Sequence, residues 1–229
     1  MNSNFSRPFA LYSLALIMAL VIPIALSAQD PWKNVYQESA WKERDAWQRA
    51  PELIRQLHLS KSGAVADIGC HEGYMTVKLA SVVTSGRVYA VDVDAPKLAL
   101  LKDHLAKRGI DNVNLVKGDY DDPKLPVNEL DGVVILDTYH EMDDYDKILA
   151  HVMQALKKGG RLVICEPIAK SRRDLTRDQQ EAKHEIGINF VEDDLKKAGF
   201  KIVSRQDPFA DRTAIKGDVM WLIVAEKSR

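Results

Sequence analysis

Short apolar runs alternate with helical stretches along most of this chain, and a glycine or an acid stands where each early run ends. These observations predict an α/β fold: a doubly wound, mostly parallel sheet with an antiparallel C-terminal strand. Apolar strands alternating with helices need cover on both faces, and right-handed crossovers then wind the chain to both sides of the sheet. The 229 residues suit one domain with appendages. At 46% hydrophobic and 28% charged the chain can bury a core and is not a disordered polar segment. Lys plus Arg number 32 against 33 Asp plus Glu, so no basic excess points to nucleic acid. Two cysteines, Cys70 and Cys165, exclude a disulfide scaffold and a four-cysteine zinc site.

Residues 1–28 read as a separate object. Residues 8–29 carry no charge, 9–26 are apolar, Arg7 precedes them, and Ala25 to Ala28 are mostly small. This is a signal-peptide pattern with cleavage after Ala28, which implies an exported, periplasmic or secreted, protein. The alternative is a retained membrane anchor through residues 8–26, since the run approaches the ~20 residues that span a bilayer. Lys33, Lys42, Arg44 and Arg49 follow the run. An uncleaved helix would therefore hold its domain on the cytoplasmic side.

Residues 29–56 form an N-terminal helical segment in which Trp32, Trp41 and Trp47 recur among charges. A helix is expected over 35–57, with Pro51 opening a second part. Residues 57–229 make the domain. Strands are expected at 64–68, 87–92, 113–116, 131–136 and 161–165, the last stopped by Pro167. Helices are expected at 74–83, 96–108 with Pro96 at the start and Gly109 as the stop, and 145–157 ended by Gly159-Gly160. Segment 171–186 is highly charged and expected to be helical, 189–198 is a helix stopped by Gly199, and 200–205 and 219–225 are strands joined by a polar loop, 207–218.

Ligands in such folds sit beyond the carboxyl ends of the strands. After the first strand comes Asp67-Ile-Gly69-Cys-His71-Glu-Gly73. Gly69 and Gly73 let backbone approach a ligand closely, and the following helix N-terminus favours a negative group. The G-x-G-x-x-G spacing of a dinucleotide site is missing, which disfavours a nicotinamide-linked oxidoreductase. Asp92 ends the second strand, where an acceptor-only carboxylate suits two vicinal hydroxyls. Asp119, after the third strand, can accept from an exocyclic amine, and Tyr120 offers an N–H and a ring edge. Acids at three strand ends suit a nucleoside with a cationic tail. Each taken alone is equally a turn or cap residue.

From residue 57 onward the chain resembles the class I S-adenosylmethionine-dependent methyltransferases, which implies their Rossmann-like fold. Their first motif, acid-x-Gly-x-Gly-x-Gly, falls on Asp67, Gly69, His71 and Gly73, with His71 in place of the middle glycine. Their ribose-binding acid falls on Asp92, followed by Val93, and their adenine-contacting acid on Asp119, followed by Tyr120. Their fourth motif falls on 131–137, ending at Asp137. Within that family the chain looks like a bacterial group with an export signal, in which a segment like 44–51 precedes the fold. The resemblance implies S-adenosylmethionine as cofactor and a small-molecule methyl acceptor.

Beyond the fourth strand lie Tyr139 and His140. His140 can serve as a base towards a hydroxyl or amine acceptor and Tyr139 can orient it. Equally, the pair can simply pack its loop. Asp137 and Glu166, at neighbouring strand ends, could hold Mg²⁺, but Cys165-Glu166-Pro167 lacks the paired acid and amide of metal-dependent catechol methyltransferases, and no metal site is assigned. The aromatics Trp32, Tyr36, Trp41 and Trp47 either close over the cofactor or dock a helix, and 170–188 is either a substrate lid or a solvated helix. Because of His71, a catalytically inactive module that still binds an adenosine ligand stays open as the alternative.

Overall fold

The computed structural model describes residues 36–228. The expected signal or anchor segment and Trp32 lie outside the described residues. Among these, no helix is long and apolar enough to cross a membrane.

A seven-stranded sheet organises the molecule. Its strands are β1 (Ala64–Ile68), β2 (Arg87–Asp92), β3 (Val113–Lys117), β4 (Leu130–Leu136), β5 (Leu156–Ile168), β6 (Lys201–Arg212) and β7 (Asp218–Glu226), in the order β3-β2-β1-β4-β5-β7-β6. The pairs from β3 across to β5 are parallel, whereas β5–β7 and β7–β6 are antiparallel. The order reverses beside β1, so the loops after β1 and β4 part and leave a crevice at their carboxyl ends.

Successive strand side chains alternate between two cores. Ala66, Val133, Ile135, Leu162, Ile164, Trp221 and Ile223 face one side. There they meet Ile148, Leu149 and Val152 of α5 (Tyr145–Ala155) and Val191 and Leu195 of α7 (Ile188–Lys197). Val65, Val134, Val163, Leu222 and Val224 face the other side, against Leu53 of α2 (Ala50–Arg55) and Leu79 of α3 (Tyr74–Val82). A smaller core joins Ala90 to Leu98, Leu101 and Leu105 of α4 (Ala95–Arg108). Helix α4 shows the expected punctuation: Asp94 caps its start by accepting from the Lys97 N–H, Pro96 lies in its first turn, and Gly109 ends it in the left-handed region at φ 62°.

Four expectations need correction. The helix expected over 35–57 is a 3-10 turn at Glu38–Ala40 followed by α1 (Trp41–Gln48) and α2, broken at Arg49, whose φ of 53° takes it out of the helix. The helix expected to reach 157 stops at Ala155, and β5 takes up residues 156–160 because Leu156 pairs with Leu130. The charged segment 171–186 is mostly non-helical: a 3-10 turn at Lys170–Arg172 and five residues of α6 (Arg177–Glu181). Much of the polar loop expected over 207–218 is strand. β6 continues to Arg212, with Ala210, Asp211 and Arg212 paired to Met220, Val219 and Asp218, and only α8 (Thr213–Lys216) intervenes.

Candidate functional site

A cavity of about 390 Å³ opens at the carboxyl ends of β1, β2 and β4. Asp67, Gly69, His71, Asp92, Val93, Asp119, Tyr120 and Asp137 all line it. Gly73 does not, but it sets the turn that leads into α3. Its φ is 95°, and a Cβ there would stand 2.2 Å from Leu101 Cδ1. Gly69, at φ 75°, packs so closely under Thr138 that a Cβ would stand 2.2 Å from that side chain's methyl. These two glycines bring the loop against α4 and against the end of β4.

His71 adopts a left-handed φ of 50° at the position where a glycine was expected. Its backbone N–H donates to Asp92 Oδ2 at 2.8 Å, and the Asp94 N–H donates to Oδ1 at the same distance. Each Asp92 oxygen has thus used one acceptor position, and a carboxylate has further ones for a ligand. His71 Nδ1 is the one buried side-chain nitrogen or oxygen among the described residues without a hydrogen-bond partner. Burial pushes this imidazole's pKa down, which favours its neutral form.

Asp67 is buried at the cavity floor and accepts from Thr76 Oγ1 at 2.6 Å. Burial outweighs that bond and raises its pKa to about 6. Asp137, at φ 56°, accepts from the Tyr36 hydroxyl at 2.8 Å and from Arg212 Nη1 at 3.0 Å. Burial works against its charge, but the Arg212 guanidinium, with Lys216, holds its carboxyl well below the usual range. Arg212 also grips Asp218 through two bonds, of 2.7 and 2.9 Å. Lys216 Nζ donates to the Tyr36 oxygen at 2.7 Å. Asp119 sits at the exposed rim, paired with Lys124 at 2.8 Å, and Tyr120 is 76% exposed.

Tyr139 and His140 do not line the cavity. Tyr139 is wholly buried and donates to Asp194 Oδ2 at 3.1 Å. His140 Nδ1 lies 2.5 Å from Glu166 Oε2 and its Nε2 lies 3.1 Å from Glu141 Oε1. Burial would lower this imidazole's pKa, but the Glu166 carboxylate outweighs it and, with Glu141, pushes it up to about 10. Glu166 itself is wholly buried, and its Oε1 takes the N–H groups of Thr138 and Tyr139 at 2.6 and 2.9 Å. Cys70 and Cys165 are buried free thiols, and burial pushes both well above the ordinary cysteine range.

Several lining residues are absent from the sequence-derived set of site residues. Tyr36, one of the aromatics expected either to close over the cofactor or to dock a helix, reaches the cavity from ahead of the sheet, and so does Arg44. The Arg44 guanidinium is stacked 4.2 Å over the Tyr74 ring, and its Nε donates to Gln48 at 3.0 Å. The signal was a cation among aromatics at helical spacing in 41–48, but nothing in that segment said where it docks. Thr138, Glu141 and Met142 complete the wall after β4.

The donor set fits S-adenosylmethionine: a strand-end carboxylate with spare acceptor positions, an unpartnered buried imidazole nitrogen, and buried acids facing a cavity. The comparisons agree. Residues 65–160 match the family model described as a methyltransferase domain. A demethylmenaquinone methyltransferase of Anoxybacillus flavithermus is 26% identical over 138 residues, which are 60% of this chain and 57% of that protein. An uncharacterized methyltransferase of Geobacillus is 23% identical over 86% of this chain and 95% of its own length. Among solved structures, a SAM-dependent methyltransferase from Aquifex aeolicus superposes with a TM-score of 0.66 at 21% identity, over 82% of this chain and 96% of that one. Residues 65–160 thus match a methyltransferase domain, and the sheet around them has the fold of the class I S-adenosylmethionine-dependent methyltransferases. The matched residues begin within β1 and end at Gly160, inside β5.

Proposed function

We propose that the protein transfers a methyl group from S-adenosylmethionine to a small-molecule acceptor. The observation that carries this reading is the gathering of Asp67, Asp92 and Asp137 with the backbone of 69–71 around one cavity at the strand ends. The demethylmenaquinone methyltransferase among its relatives supports an acceptor of aromatic or quinone kind, and Met142, Ile148, Leu136 and Pro123 give the cavity apolar wall for it.

When bound, S-adenosylmethionine supplies a methyl group made electrophilic by its sulfonium. In our proposal the residues of the chain do the holding. Asp92 accepts from the ribose hydroxyls. The His71 imidazole, whose Nδ1 has no partner in the protein, and the Arg44 guanidinium face the methionine carboxylate. Asp67 supplies negative potential for the cationic groups. Tyr36, held by both Asp137 and Lys216, covers the cavity and excludes water. Tyr139 and His140 act by fixing the loop after β4, because each is already bonded to a buried acid. An imidazole held between two carboxylates keeps its proton at neutral pH and is a poor base.

Calorimetric titration with S-adenosylhomocysteine tests the reading, with Asp92→Ala as control. Saturable binding weakened about 10–100-fold in the variant is expected, the worth of one or two charge-assisted hydrogen bonds. No binding by the folded wild-type protein would sink the proposal.

A further inference from the structure

We propose that His140, Glu141 and His184 form a binding site for a divalent transition-metal ion of the zinc class, on the cavity wall after β4. Their ligand atoms all lie within 4.8 Å of one another. His140 Nε2 is 3.1 Å from Glu141 Oε1, and His184 Nδ1 is 2.5 Å from the same oxygen. Ligands about 2.1 Å from a tetrahedral ion stand roughly 3.4 Å apart. The three donors are therefore already gathered to about that spacing. Glu141 and His184 are largely exposed and have room to part by the remaining distance.

The support behind the site is what separates it from a chance ion pair. Glu166 is wholly buried and locked by two backbone N–H groups. It receives His140 Nδ1 and thereby turns Nε2 outward towards Glu141. A carboxylate behind a histidine whose other nitrogen faces a cluster of donors is the arrangement that orients metal-ligating imidazoles. His184 stands in the turn that closes α6, its N–H donating to the Glu181 carbonyl at 2.8 Å, and its ring meets that of His140 edge-on at a centroid distance of 6.0 Å. Asp137, also near His140, is not a ligand, because Tyr36 and Arg212 already hold it.

Two imidazoles and one carboxylate select zinc-like ions over Mg²⁺ or Ca²⁺, which prefer all-oxygen shells. On binding, the ion replaces the proton on His140 Nε2, which passes to water. Three protein ligands leave a position open. Glu141 lines the cavity, so this position takes an oxygen, nitrogen or sulfur donor of the methyl acceptor. This last point alone rests on the proposed transferase reading.

The test uses untagged full-length protein stripped of metal with a chelator. Zn²⁺ is titrated by calorimetry and Co²⁺ by visible absorption, for wild type, His184→Ala and Glu141→Gln. The expected result is one ion per chain at micromolar affinity or better, with the intense d–d bands of four- or five-coordinate Co²⁺. Loss of His184, an exposed residue whose removal leaves the core intact, should weaken binding at least 10-fold and bleach those bands. Absence of stoichiometric uptake, or uptake that both variants leave unchanged, overturns the proposal. S-adenosylhomocysteine binding on the same samples separates a failed metal site from a failed cofactor site.

Discussion

Asp67 concentrates the electrostatics of the cavity in one carboxyl. Its folded pKa, about 6, lies above the ordinary aspartate value of 3.8. The group therefore favours the folded state at low pH and loses that contribution as pH rises through about 6. Ionised and buried at neutral pH, it costs on the order of 2–3 kcal/mol. Asp67→Asn should raise stability above pH 6 and flatten the dependence between pH 4 and 7, as read by urea unfolding. A cationic ligand seated beside Asp67 favours its charged form. S-adenosylmethionine binding near pH 6 should thus release a proton, detectable by calorimetry in two buffers of different ionisation enthalpy, and Asp67→Asn should abolish that release. At this scale much was legible. Asp67, Asp92 and Asp137 stand at strand ends, and the topology alone dictates that strand ends converge. Arg44 and Tyr36 were harder, because their place depends on how α1 and the turn before it dock, a tertiary event with no local signature. The burial of Tyr139 and the pairing of His140 with Glu166 depend on contacts 55 and 26 residues away, which no spacing rule discloses.

Among the elements, those with strong punctuation and apolar periodicity were readable, and α4 with its proline start and glycine stop is the clearest. Segment 171–186 was misread because charge density without an apolar stripe fits a solvated helix and an irregular strap equally well. Here buried Gln180 holds the strap, donating to the carbonyls of Arg172, Arg173 and Leu175 and accepting from the Gly187 N–H. The continuation of β6 was hidden for a related reason: Arg212 and Asp218 look like loop residues until each is seen to neutralise the other. The turn from β1 into α3 yields a direct test. Gly73→Ala places a methyl against Leu101 and forces alanine into a left-handed backbone. It should cost about 2–4 kcal/mol of stability by chemical denaturation, with the loss of S-adenosylhomocysteine binding following the displaced turn.

For the whole molecule, Arg212 is the knot between distant parts. It lies on β6, bonds Asp218 at the start of β7, and reaches Asp137 beyond the end of β4. Asp137 in turn holds Tyr36, ahead of the first helix. Arg212→Met leaves the buried Asp218 carboxylate without its two-bonded cation and Asp137 with Lys216 in place of two cations, and such breakage typically costs about 3–5 kcal/mol. Urea titration should show a loss of that size. Asp218→Asn in the same background should recover part of it, because it removes the orphaned charge.

The strand order carries a consequence for biosynthesis. Of this sheet's strands β7 is the last to leave the ribosome, yet it lies between β5 and β6. Until residues 218–226 emerge, β6 has no neighbour to pair with and the edge of β5 stays open. The carrier of Asp137's guanidinium partner stays unanchored with it. The sheet therefore stays incomplete until residues 218–226 have been made. A ribosome-stalled chain ending at Lys216 should be cut readily by protease, while one extended by a linker that frees β7 from the exit tunnel should resist.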